Sequence, residues 1–351
     1  MNIHFTMPFA SPEWPLVAAL RAGLGAVSVD CGRWSATTYK SRLSLVWLNL
    51  KLVVFAFASV RRALRQRPVP TTIVVSTDAE LIGASLACAM TWPRPRRVLL
   101  GFIYTARASS LWTRIRLAVF RAILSLADGV ICYSRHEAAQ YTALFQLRSV
   151  KFVSIPYGLH VTDTQPAVPE GVPYVLSAGR SGRDYATLLN TAARLPAIQF
   201  KIICDSQAPL KGLAVPANVE VLRRCVAGDY FRVLRRAQLV VVPLNPTEIS
   251  SGQMVLLQAK ALGKATVITR TPTSVEYGEH LRDLYFVQAG CLDELSVAIS
   301  RLMSDDSLRA AIGSGASRHF QAEHSMQAFA RNLVAATRLL AQAMPGPTGP
   351  G

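Results

Sequence analysis

Acidic residues are scarce in this sequence. Its 351 residues carry 21 Asp and Glu against 38 Lys and Arg, a formal net charge of +17. No Asp-x-Asp pair occurs that would hold a catalytic divalent ion, so no metal and no other cofactor is expected. The six cysteines, Cys31, Cys88, Cys132, Cys204, Cys225 and Cys291, are scattered without a Cys-x-x-Cys pair. That argues against a zinc ribbon or a disulfide framework and for a reducing, cytoplasmic compartment. No repeat of about 20–50 residues is visible, which excludes solenoids and propellers. Residues 1–15 lack a basic stretch followed by an apolar one, so no secretory signal is expected. Charged residues make up 17% and apolar residues 51%, too apolar for a disordered chain. The length corresponds to about two domains of ordinary size.

The positive charge is concentrated in the first half. Residues 1–160 hold 19 basic and 6 acidic side chains (+13), and the remainder holds 19 and 15 (+4). Such an asymmetry implies an anionic partner, either a membrane face or nucleic acid. The longest apolar run, residues 43–60, contains Asn49 and Lys51. A lysine in mid-membrane is unfavourable by about 2.5–3.5 kcal/mol, and the run is at the short limit for spanning, so a packed or surface-lying helix is predicted. Arg61, Arg62, Arg65 and Arg67 close that helix. Arg114, Arg116 and Arg121 share another with Trp112, Ile115, Val119, Phe120 and Ile123. Arginines beside aromatic and apolar positions suit an anionic bilayer surface, while a solvated basic face over core residues is the alternative. No recognised RNA or DNA module and no lysine-rich tail is present, and nucleic acid is not expected as a partner.

Short β-rich runs alternate with helical stretches throughout, which predicts parallel-sheet α/β architecture. Strands are predicted at 72–76, 98–102, 129–132 and 152–155, with helices at 43–65, 81–91 and 111–126. Ser134 and Glu137 have capping-box spacing and start a further helix. The polar, proline-containing segment 160–173 is the predicted linker. Beyond it, strands at 174–178, 199–204, 219–222, 239–243 and 265–269 alternate with helices at 184–195 and 254–262, and helices follow from residue 291. Two doubly wound, Rossmann-like domains result, 1–163 and 164–343, and 344–351 is predicted to be a disordered tail.

In such sheets ligands bind beyond the strand carboxyl ends. After the strand 174–178 comes Gly179-Arg180-Ser181-Gly182-Arg183, where two glycines permit close backbone approach and two arginines three apart suit a diphosphate. An ordinary βα turn with solvated arginines is the alternative. After 239–243 the chain reads Glu248-Ile249-Ser250-Ser251-Gly252-Gln253, and the helix behind it presents free N–H groups to an anion. Gln258, about two turns along, reaches a ribose only if that helix flanks a nucleotide, and is otherwise an ordinary helix residue.

At these two loops the sequence resembles retaining glycosyltransferases of family four, which have the GT-B fold, two Rossmann-like domains facing a central cleft. The similarity runs from Tyr174 to about Leu340, with weaker support at 127–134 and 153–158. The resemblance implies that Gly179, Arg180 and Arg183 hold the donor diphosphate. It also implies that Ser251, Gly252 and Gln253 line the donor site, with Arg180 and Arg183 in the catalytic role that a metal has elsewhere. The family's two glutamates eight apart fall on Ser250 and Gln258, so both carboxylates are missing. Glu248 is the nearest carboxylate to the first and its candidate substitute. The loop after the first strand, residues 8–12, lacks the family's glycine pair, and no histidine follows 98–102.

The expected activity is transfer of a hexose from a nucleotide-diphosphate sugar to a lipid-linked or saccharide acceptor, in surface polysaccharide or glycolipid synthesis. The expected place is the cytoplasmic face of the plasma membrane, with the basic first domain on the anionic surface. Asp78 and Arg107 are the acceptor-side candidates, on loops that follow first-domain strands. Two other readings stay open: a non-catalytic partner subunit with this fold, and a sugar-nucleotide epimerase.

Overall fold

The computed structural model describes residues 2–23, 27–32, 34, 41–105, 111–162, 171–206, 208–223, 225, 227–246 and 250–342. The chain divides into two compact units, one made of 1–156 and the segment from Phe329 onward, the other of Tyr157–Ala328. The sequence division at 163/164 gave residues 326–342 to the second domain. In the structure much of that helix belongs with the first unit, because its apolar side chains pack there: Leu340 lies against Gly129 and Phe329 against Tyr133.

The first unit runs β1 (Ile3–Met7), α1 (Pro15–Gly23), β2 (Val27–Cys31), α2 (Arg42–Arg65), β3 (Thr72–Val75), α3 (Asp78–Ala89), β4 (Arg96–Leu100), α4 (Leu111–Leu124), β5 (Gly129–Cys132), α5 (Arg135–Phe145) and β6 (Lys151–Ser154). Its six strands are parallel in the order β2-β1-β3-β4-β5-β6. Strands β3 (TIVV) and β5 (GVIC) are buried at every position, the unbroken apolar run expected of a strand covered on both faces. Ser134 caps α5 as its spacing predicts, accepting from the Glu137 N–H at 3.3 Å. Strand β4 begins two residues before its predicted start. Arg96 and Arg97 disguise it, and Arg97 is held by Asp128, which accepts from its backbone N–H at 2.8 Å and its Nε at 3.1 Å.

Helix α2 is the long apolar run. It is long and apolar enough to cross a membrane, yet one face is built into the unit. Leu48, Leu52, Ala56, Val60 and Ala63 are buried, the Ser59 hydroxyl meets His4 Nε2 at 2.9 Å, and Arg62 pairs with Asp30 at 2.5 Å. Its other face leaves Leu43, Val46, Trp47, Leu50 and Val54 exposed. Helix α3 approaches so closely that a Cβ on Gly83 would stand 2.1 Å from the Val53 carbonyl oxygen. On a free helix Gly→Ala stabilises by about 1 kcal/mol. Gly83→Ala is expected instead to destabilise by about 1–3 kcal/mol, because two backbones must separate. Urea unfolding decides it, and a stabilised variant contradicts the packing.

The second unit runs β7 (Tyr174–Ala178), α6 (Tyr185–Arg194), β8 (Gln199–Ile203), β9 (Val219–Leu222), α7 (Ala227–Arg236), β10 (Leu239–Val242), α8 (Gln253–Ala261), β11 (Thr266–Thr269), β12 (Tyr285–Val287), α9 (Leu292–Ser304), α10 (Asp306–His319) and a π-helical turn Phe320–His324, and the chain then enters α11 (Met326–Gln342). The strand order is β12-β11-β10-β7-β8-β9, again all parallel. This is the doubly wound order whose winding reverses between β7 and β10.

Candidate functional site

Strands β7 and β10 are hydrogen-bonded neighbours, so the loops after them meet at the switch point of the sheet. Arg183 and Leu244 form an antiparallel bridge, the Asp184 N–H donates to the Pro243 carbonyl at 3.1 Å, and the Asn245 N–H donates to the Gly182 carbonyl at 3.0 Å. The two loops singled out in the sequence therefore form one surface. Asp184 then caps α6, accepting from the Thr187 N–H at 3.0 Å.

Gly179, Gly182 and Gly252 all have positive φ, 109°, 64° and 82°, a conformation that suits residues without a Cβ. They also clear space. A Cβ on Gly179 would stand 2.5 Å from Arg183 Nη2, one on Gly252 3.5 Å from Arg183 Nη1, and one on Gly182 2.8 Å from Ser251 Oγ. The Arg183 guanidinium thus lies across the strand ends with glycine on two sides. It is only 8% exposed, and its Nε and Nη1 donate to the carbonyls of Ala178 and Ser181 at 2.8 and 3.0 Å. Among the described residues it makes no ion pair, and its Nη2 bonds to no protein atom. Burial pulls its pKa below the ordinary arginine value, but a guanidinium stays charged. A buried, uncompensated cation is unfavourable on its own and favourable with an anion beside it.

Helix α8 starts in the same place. Gly252 is its N-cap and brings no side chain to cap the first turn, and the N–H groups and positive end of the helix dipole there suit an anion. Ser250 and Ser251 are half-buried on the approach. Gln253 turns back, its Nε2 donating to Tyr277 Oη at 2.7 Å. Gln258 Oε1 accepts from the Tyr230 hydroxyl at 2.6 Å, leaving its amide N–H donors without a protein partner among the described residues. Arg180 is exposed and forms a surface pair with Asp205 at 3.5 Å, weak enough to be given up to a ligand. Glu248 lies outside the described residues.

Beneath α8, Lys260 is fully buried and donates to the Tyr277 carbonyl at 2.7 Å and to Asp283 at 2.9 Å, with His319 Nδ1 at 2.8 Å. Asp283 also contacts His319. Burial lowers the Lys260 pKa to about 8. Burial pushes Asp283 upward, but the bonds from His319 and Lys260 outweigh it and hold its pKa at about 2. This cluster fixes α8 to the turn that carries Tyr277, and Tyr277 in turn holds Gln253. Sequence reading missed Tyr230, Tyr277, Asp205 and Asp283, because each comes from a distant segment whose local pattern is unremarkable.

At the carboxyl ends of β1 and β3 in the first unit, Asp78 opens α3, accepting from the Ala79 N–H at 3.0 Å. The more unusual carboxylate is Glu80, fully buried and accepting from the hydroxyls of Thr6, Ser76 and Thr77 at 2.5, 2.7 and 3.0 Å. Burial raises its pKa to about 7 against those donors. Its signal in the sequence is the Thr77-x-x-Glu80 capping-box spacing. Nearby, a cavity of about 370 Å³ is lined by Phe9, Ser11, Glu13, Trp14 and Trp34. Arg107 lies outside the described residues.

A family model described as glycosyl transferase-like matches residues 180–335. Among curated protein sequences none matches. Among solved structures, sucrose-phosphate synthase from Thermosynechococcus elongatus is similar at a TM-score of 0.69 and 18% identity, covering 98% of this chain and 100% of that one. HepE from Anabaena, solved with UDP and glucose, is similar at 0.65 and 15%, covering 96% and 99%. The trehalose 6-phosphate synthase of Burkholderia multivorans is similar at 0.62 and 12%, covering 97% and 99%. The chain has the GT-B fold, and its residues 180–335 are similar to glycosyl transferases.

Proposed function

We propose that this protein is a glycosyltransferase that moves a hexose from a nucleotide-diphosphate sugar to a lipid-linked or saccharide acceptor. We also propose that it works with retention and without a metal ion, in surface polysaccharide or glycolipid synthesis. The observation that carries this reading is the buried Arg183 guanidinium, without an ion-pair partner among the described residues, beside the start of α8, whose N-cap is a glycine, at the switch point. The bond from the anomeric carbon to the diphosphate breaks as one to the acceptor oxygen forms, and the proton of the acceptor hydroxyl passes to the departing diphosphate. Negative charge then grows on the departing diphosphate, where a fixed guanidinium and helix N–H groups stabilise it most. Arg180, released from Asp205, adds a second cation, and the Gln258 amide is suited to a ribose hydroxyl. UDP and glucose in the HepE structure support a donor of this chemical type. The aromatic cavity at Phe9, Trp14 and Trp34 is suited to stacking a sugar ring.

A thermal-shift panel of UDP, GDP, ADP and their sugars tests the donor. A nucleotide at 100 times its dissociation constant stabilises by about 2.7 kcal/mol, and no response to any of them overturns the reading. With the responding donor, turnover is expected to survive a chelator. Loss that manganese restores refutes the metal-independent part. The empty glutamate positions, Ser250 and Gln258, favour one rival, a non-catalytic partner subunit, which binds nucleotide but forms no product. The epimerase reading requires sugar-nucleotide interconversion without an acceptor.

The first unit is proposed to rest on the cytoplasmic membrane face through the exposed stripe of α2 and through Leu111, Trp112, Ile115 and Val119 on α4, all exposed. Flotation with anionic vesicles is expected to fall at least tenfold in a Trp47→Glu, Leu50→Glu variant, because each apolar side chain contributes about 1.5–3 kcal/mol when buried. Equal flotation of the two proteins removes α2 from the interface.

A further inference from the structure

The first unit carries a cavity of about 710 Å³ at the end of its sheet opposite the strand carboxyl ends. Thr71, Arg96 and Asp128 place it where β3, β4 and β5 begin. Its lining holds Arg67, Arg94, Arg96 and Arg97, with Asp128 as the one carboxylate. Asp128 is spent on Arg97, whose Nε and backbone N–H it accepts. Arg67 and Arg94 are exposed and contribute charge that this carboxylate does not balance. Walls that include Pro70, Pro93 and Pro95 have fixed φ angles, so the space is pre-formed and loses little entropy on filling.

We propose that this cavity binds a phosphate ester, with Arg67 and Arg94 on the phosphate oxygens and the Trp92 indole against the esterified group. Guanidinium forks match phosphate geometry and supply paired, charge-assisted hydrogen bonds. The volume is that of a small-molecule site and far exceeds what a bare phosphate fills, so the ligand carries an organic part. Trp92, 62% exposed, gives that part a flat apolar surface. Leu64 and Val69 add apolar wall to the same cavity. The same chemistry is offered by a phospholipid headgroup and by a soluble phosphorylated metabolite. The inference stands apart from the donor reading, since none of these residues belongs to the second unit.

The test titrates the full chain, its Arg67→Glu, Arg94→Glu double variant and its Trp92→Phe variant with glycerol 3-phosphate and with phosphatidylglycerol vesicles. Tryptophan fluorescence and flotation are the readouts. A saturable fluorescence change with glycerol 3-phosphate, lost in Trp92→Phe and at least tenfold weaker in the double variant, supports a soluble ligand. Vesicle binding at least tenfold weaker in the double variant, with no response to glycerol 3-phosphate, supports the headgroup. Equal behaviour of the double variant and the unmodified chain toward both probes overturns the proposal. Both arginines are exposed, so the double variant is expected to fold. Its thermal response to the donor nucleotide is measured alongside, so that failure of this site and failure of the donor site are read separately.

Discussion

Arg183→Met abolishes the thermal stabilisation given by the donor nucleotide and lowers kcat/KM about a thousandfold, while the ligand-free protein melts within a few degrees of the unmodified one. The two halves of that expectation come from one geometry. Losing one charge-stabilising donor in a transfer site removes about 2.7–4 kcal/mol of transition-state stabilisation, and Arg183 offers the unused Nη2. In the ligand-free state the substitution strands the Ala178 and Ser181 carbonyls, which costs about 1–3 kcal/mol for a buried acceptor. It also removes a buried cation that has no ion-pair partner among the described residues, which offsets that loss. A purely structural arginine gives the reverse: a lowered melting temperature with the nucleotide response intact. Arg183→Lys, which keeps the charge but not the fork, retains part of the response. A full response in Arg183→Met overturns the placement of the diphosphate.

Glu80→Gln removes about 3 kcal/mol of pH-dependent instability. The ordinary value for this carboxyl is 4.5, and burial raises it to about 7 in the fold. Below pH 4.5 both states hold the proton. Between 4.5 and 7 the unfolded chain ionises first, and each pH unit costs the native state about 1.4 kcal/mol. Above pH 7 both are ionised, and the deficit levels off. Glutamine cannot ionise; its single carbonyl oxygen replaces one carboxylate oxygen as acceptor, and its NH2 donates to the hydroxyl oxygens that face the other. Chemical denaturation is therefore expected to show the variant gaining on the parent between pH 4.5 and 7.5, then running parallel to it. His4 and His324, each lowered by burial to about 4, act in the opposite sense: their contribution is full above pH 6.5 and is lost as pH falls through 4. They are present in both proteins and cancel in the difference. Parallel curves throughout show that Glu80 is ionised in the fold across this range.

Sequence reading succeeded where a local pattern carries the information. The runs TIVV, GVIC and YVLSA read as strands from their apolar β-rich composition, and the glycines at 179 and 182 as points of close backbone approach. It read less well where the partner is distant. The pattern at 179–183 leaves open whether its two arginines face a diphosphate or solvent, and does not distinguish one from the other. The structure buries one of them, because the bridge to Leu244 draws Arg183 over the strand ends while Arg180 stays outside with Asp205. Helix α7 is missed because AGDYFRVLRR is polar overall, and β12 because three residues show no period. Asp78 is singled out in the sequence by its place after a first-domain strand, yet the carboxylate in the unusual environment is Glu80, two residues on, which accepts from Thr6 in a strand more than seventy residues earlier.

The return of the chain to its first unit sets an order of synthesis. The second unit is complete at Ala328, and its two ends are tied together there: the Leu159 N–H donates to the His324 carbonyl, and His324 Nδ1 donates to the Tyr157 carbonyl, both at 2.9 Å. On the ribosome it is therefore a nested segment that can close while the first unit still waits for residues 329–342. The half that is translated first is finished last. Until Leu340 arrives against Gly129, that half holds its six strands together without its final helix.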